Sequence, residues 1–172
     1  MDSTQLTQLY NFFVKTNTDQ RGVEAALVLA SVAGAAGYAL SEAQLASLNA
    51  QGTDGGANLF SQELSDQLEQ TFSELLRCAA AAGIDSIQES GWVGLPVGAE
   101  ALKVHIATFN LNNFSELKNL YLAGGNAFES LSNDLLAISC LFLRQVSGTV
   151  IPESEGKRII TWALQCGART ML

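Results

Sequence analysis

The chain reads as all-α, and three observations carry that reading. Apolar residues recur at spacings of three and four almost throughout. Short polar residues that cap helices precede one segment after another, and glycines follow them. Strand-like alternation never persists for five residues, and Thr149-Val150-Ile151 comes nearest to it. The expected architecture is a compact helical bundle of seven to nine helices in one domain over residues 1–172. The break at Gly52–Gly56 allows a subdivision into an N-terminal helical hairpin, 1–51, and a main bundle, 57–172.

The first helix is expected from a Ser3 or Thr4 cap to Lys15, with Leu6, Leu9, Tyr10 and Phe13 on its apolar face. Asp19 is the expected cap of a second, ending near Ala36 with Gly37 as its stop. Ser41-Glu42-Ala43-Gln44 has capping-box spacing and opens a short third helix. A long helix follows from about Asn58 to Ala82, where Phe60, Leu64, Leu68, Phe72, Leu75, Leu76 and Ala79 form a stripe. Glu63, Asp66, Glu69 and Glu74 lie opposite, as a solvated face. The segment from Ser90 to Gly98 carries three glycines and a proline and is expected to be irregular. Further helices are expected over 99–110, from Asn113 to Ala123, from Ala127 to Val146 behind an Asn126 cap, and from Glu153 to Cys166 with Gly167 as its stop.

Composition narrows function. Charged residues are 15% of the chain, well below the usual quarter or so. Such a surface is either filled by Ser, Thr, Asn and Gln or hidden against a partner. The net charge of -8 disfavours nonspecific nucleic-acid binding. That charge is segregated: residues 39–100 hold nine acids against Arg77, while the two flanking regions are nearly neutral. Cys78, Cys140 and Cys166 are odd in number and widely spaced, which fits buried thiols in a reducing, cytoplasmic setting. No basic stretch followed by an apolar one opens the chain, and the run from Ala25 to Leu40 falls short of a membrane span.

No catalytic motif stands out. His105 is the single histidine, so any Ser-His or Cys-His chemistry must use it; within a helix it reads as a structural residue. GxSxG, GxxxxGK[ST] and GxGxxG are absent, and no cysteine spacing suits zinc. Asn17 to Gly22 starts like a calcium loop but has Val28 where a bidentate glutamate is required. No catalytic, cofactor-binding or metal-binding residue is therefore assigned, and the chain leans away from being an enzyme.

What remains are contact features. Ala26, Ala30 and Gly34 form a small-residue stripe that lets another backbone come close, as in a central core helix or an assembly seam. Trp92 and Leu95 lie in an apolar loop, the kind of segment that anchors partners. Trp162, flanked by Ile159, Ile160 and Leu164, reads as core. Arg144, Lys157 and Arg158 are a thin basic group, candidates for anion contacts. The leading expectation is a self-assembling structural subunit acting through protein–protein contacts, a homo-oligomer whose acidic middle meets the base-bearing end of a neighbour. A coat-like subunit contacting nucleic acid and a carrier of an apolar small molecule are the alternatives.

One local likeness exists. Phe12 to Asp19, then Ala36-Gly37-Tyr38 and Ser41-Glu42-Ala43-Gln44-Leu45, resemble leader regions of certain cyanobacterial ribosomal peptide precursors. The spacing between the blocks is shorter than in that family, and a helical pattern follows Gly56 where a core peptide would stand. No assignment is taken from it.

Overall fold

The computed structural model describes residues 1–50 and 94–170, together with Asp66, Glu69, Gln70, Ser73 and Arg77, and leaves the side chains of 44–50 and 170 undescribed. The chain is predominantly helical. Helix α1 spans Ser3–Thr16. A small hairpin follows, β1 at Thr18–Asp19 paired antiparallel with β2 at Gly22–Val23. Helix α2 covers Ala25–Ala50, α3 covers Ala99–Ala123, α4 covers Leu131–Val146 after a short 3-10 turn, and α5 covers Glu153–Thr170.

The capping and glycine signals predict seven to nine helices; the described residues hold five α-helices and one 3-10 turn. Two pairs of expected helices are in fact single ones. Ser41 does not open a new helix, because its hydroxyl donates to the carbonyl of Ala168 on α5 from inside α2. Asn113 likewise sits inside α3 and bonds back to the carbonyl of Phe109, four residues earlier, at 3.1 Å. The expected cap Asp19 belongs to the hairpin, where its carboxylate accepts from the Arg21 N–H at 2.7 Å. Gly22 closes that turn with φ of 108°, a conformation that side chains disfavour. Asp2, not Ser3, caps α1, accepting from the Gln5 N–H at 2.8 Å. The expected helix over 58–82 lies largely outside the described residues; its members Asp66, Glu69, Gln70, Ser73 and Arg77 are helical and exposed.

Helix α2 packs against α1, α3, α4 and α5, most extensively α5. Two glycines explain that closeness. A Cβ on Gly37 would fall into the backbone of Leu164 and Ala168, and one on Gly167 into the carbonyl of Gly34. Neither stops a helix, as their spacing suggests; both sit inside helices, where α2 and α5 cross in backbone contact. Ala30, Ala33, Leu164 and Ala168 complete the buried seam. The small-residue stripe of Ala30 and Gly34 is thus spent on packing within the chain, with Ala26 only partly buried beside it. The stretch Ala25–Ala43 is long and apolar enough to cross a membrane, and two thirds of its hydrophobic window (67%) is buried against the other helices.

Helix α1 docks through Gln5, Leu9 and Phe13, spaced four apart along one face. The Phe13 ring stacks on Phe109 of α3 with centroids 5.5 Å apart. The Gln5 amide donates to the carbonyl of Tyr121 at 3.0 Å and accepts from Asn126, which joins α1 to the end of α3. Asn126 is therefore a bridge and not the helix cap expected of it. Gly124-Gly125 does end α3, and Gly125 has φ of 82°.

Candidate functional site

The one histidine lies in a polar cluster that joins three elements. His105 of α3, Ser31 of α2 and Asn17 at the end of α1 meet with His105 Nε2 at 3.0 Å from Ser31 Oγ and 2.9 Å from Asn17 Oδ1. Ser31 donates its hydroxyl proton to the same Asn17 oxygen at 3.1 Å. The Asn17 amide nitrogen donates to the Phe13 carbonyl at 2.7 Å, which fixes which way the amide points. An acceptor oxygen 2.9 Å from Nε2 requires that Nε2 carry the proton. The free lone pair is then on Nδ1, away from Ser31. A general base for Ser31 needs the opposite tautomer. The cluster is built as a structural lock between α1, α2 and α3.

Burial lowers the His105 pKa below its ordinary 6.5, and the field of Glu24 raises it to a lesser degree. A depressed pKa means that the unfolded chain takes up this proton more readily than the folded one. The stabilising contribution is complete above pH 6.5 and is lost as pH falls through the lower, folded value. Urea denaturation of wild type and His105→Gln between about pH 7 and 5 tests this. The wild type is expected to lose stability more steeply than the variant, whose amide N–H can still face Asn17. Parallel slopes would exclude His105 as the origin.

The other residues singled out in the sequence are dispersed. Trp92 falls outside the described residues. Leu95 is 57% exposed in the segment before α3, and Val97 is 85% exposed. That segment is tied to α5, since the Val97 N–H donates to Glu155 at 2.7 Å. Lys157 faces Glu153 and Arg158 faces Glu155, each at 3.4 Å, so both cations of that pair carry acidic neighbours. Arg144 is exposed in the last turn of α4, a favourable place for a cation. Trp162 is half-buried, its indole N–H donating to the Ala99 carbonyl at 3.0 Å. Cys140 and Cys166 are buried thiols outside any disulfide, and Cys78 lies outside the described residues. Among the described residues, no three His, Cys, Asp or Glu side chains cluster as metal ligands. An uncharged groove of about 370 Å³ runs between α1 and α4, lined by Leu6, Tyr10, Ile138, Leu141 and Phe142 among others.

A different feature stands out on the surface. Val104 is 66% exposed, Leu111 85% and Leu122 39%. Their spacings of seven and eleven residues place them in one line along α3, over about 27 Å at 1.5 Å per residue. From Val104 to Ser115 the helix has no Asp, Glu, Lys or Arg. Thr108, Asn112 and Ser115 fill the exposed positions between. The charge-free run is visible in the sequence. The expected helix break at 110–113 hides the single line that it forms.

Neither a protein-family model, nor a curated protein, nor a solved structure matches the chain.

Proposed function

We propose that this chain is a non-enzymatic helical protein that acts through protein–protein contacts, as a self-assembling subunit joined along the outer face of α3. The exposed Val104, Leu111 and Leu122 in one line, with no charged residue from Val104 to Ser115, are the observation that carries the reading. An exposed helix ordinarily presents charge to water, and contiguous apolar surface on a soluble chain marks a place of contact. The exposed Leu95 and Val97 add apolar surface just before the first turn of α3. A second copy is the occupant best suited to it, since a neutral seam matches itself and the chain as a whole is acidic, at -8. If α3 packs on its symmetry mate, assembly closes at a dimer; if it packs on a different face, it propagates.

Light scattering over a wide concentration range separates these outcomes. Wild type is expected to exceed the monomer mass at high concentration. Leu111→Glu places a charge at the centre of the line and is expected to return the chain to monomer with its helical circular dichroism unchanged. A wild type that stays monomeric throughout, or a Leu111→Glu variant that assembles equally well, overturns the reading. The nucleic-acid alternative draws less support, because Lys157 and Arg158 are each matched by a glutamate.

A further inference from the structure

A second cavity, of about 320 Å³, lies between α3 and α5 and is lined by Lys103, Ala107, Trp162, Cys166 and Arg169. Among the described residues, no carboxylate lines it. Lys118 meets Glu42 at 2.8 Å, and Lys157 and Arg158 meet their own glutamates, while Arg144 stands exposed at the end of α4. Lys103 and Arg169 make no ion pair among the described residues, yet they border the same cavity in a chain of net charge -8. Glu100 is the nearby acid whose field reaches Cys166, and it stands outside the lining. Arg169 sits in the last turn of α5, where the helix itself favours a cation. Lys103 sits in the second turn of α3, where no such reward exists.

The rest of the lining is neutral. Trp162 is pinned by its bond to the Ala99 carbonyl, so the indole is held in place and its N–H is already used. Burial pushes the Cys166 thiol up to about 11, against the opposing pull of Lys103 and Arg169. It stays protonated at neutral pH and adds no negative charge to the cavity.

We propose that this cavity binds a small organic anion, its carboxylate or sulfonate held between Lys103 and Arg169 and its flat apolar body set against Trp162 and Ala107. The volume is at the lower end for ligand sites, which restricts the body to one or two rings. Two cations give the head group its affinity, and the fixed indole gives the body its place. This site is independent of the assembly face and does not rest on it.

The test uses two fluorescent two-ring probes on the full chain, the anion dimethylaminonaphthalene sulfonate and the corresponding neutral sulfonamide. Lys103 and Arg169 are exposed, so the double variant Lys103→Gln, Arg169→Gln leaves the core intact. Wild type is expected to bind the anion saturably, and the double variant to bind it roughly tenfold or more weakly. Affinity for the neutral probe is expected to be unchanged by these substitutions. Ala107→Leu, which fills the cavity, is expected to weaken the anion as well, with an unaltered melting temperature serving as the control for folding. The proposal is overturned if wild type does not bind the anion, if the double variant binds it as tightly, or if both probes weaken in parallel. Light scattering of the same variants reports assembly separately.

Discussion

Gly167→Ala is expected to be the most damaging single methyl group that can be added to this chain. Two effects of opposite sign compete. Alanine is the better helix former, by about 1 kcal/mol in a helix interior. The new Cβ, however, falls into the Gly34 carbonyl across the α2–α5 crossing. Backbone cannot rotate aside as a side chain can, so the two helices must separate. Overpacking of a tight core costs about 1–3 kcal/mol and occasionally more, and here the loss of contact along the whole seam places it at the upper end. A net destabilisation of roughly 2 kcal/mol or more is expected, which lowers the melting temperature of a chain this size by several degrees. Gly37→Ala is expected to behave alike, because its Cβ meets the backbone of Leu164 and Ala168. Gly34→Ala is the discriminating control. Its Cβ meets Ile106 side-chain atoms, the nearest at 2.6 Å, where a Gly167 Cβ meets backbone, so its effect is expected to be smaller. Equal melting temperatures for Gly167→Ala and wild type would refute the close crossing.

Phe13→Ala is expected to release α1 from the bundle at a cost of about 3–5 kcal/mol, the usual range for a fully buried phenylalanine. Phe13 is 0% exposed, stacks on Phe109 and takes an edge contact from Phe12 at 5.8 Å. Its carbonyl also receives the Asn17 amide, so its position bears on the His105 cluster. Phe12→Ala is expected to cost much less, since Phe12 is only partly buried. Urea denaturation of both variants checks the ordering, and equal losses would contradict the docking described for α1.

The helical class is legible from spacing alone, and so are the ends of α1, the start of α5 and the role of Gly124-Gly125 as a break. Element number is not, and the reason is specific. A glycine that ends a helix and a glycine that admits a neighbouring helix share one property, the absence of a Cβ. Which applies to Gly37 depends on Leu164 and Ala168, far along the chain. Ser41 and Asn113 mislead in the same manner: hydroxyl and amide groups cap helices, but they also bond across helices or back to their own turn. The hairpin at Thr18–Val23 escapes because two-residue strands have no periodicity to read. At the surface, dividing α3 in two hides the line of Val104, Leu111 and Leu122. The anion cavity is beyond reach, since Lys103 and Arg169 come together only through the packing of α3 on α5.

The crossing of α2 on α5 also bears on how the chain comes to be folded during synthesis. Helix α2 emerges early and is the most apolar of the described helices, yet its principal partner is the last one made. The Gly37 surface fits against the backbone of Leu164 and Ala168, which is made last. The α5-facing side of this apolar helix therefore stays uncovered during synthesis until α5 emerges, exposed to aggregation and to chaperones. Contacts of such wide sequence separation also slow the final closure relative to bundles built from neighbouring hairpins.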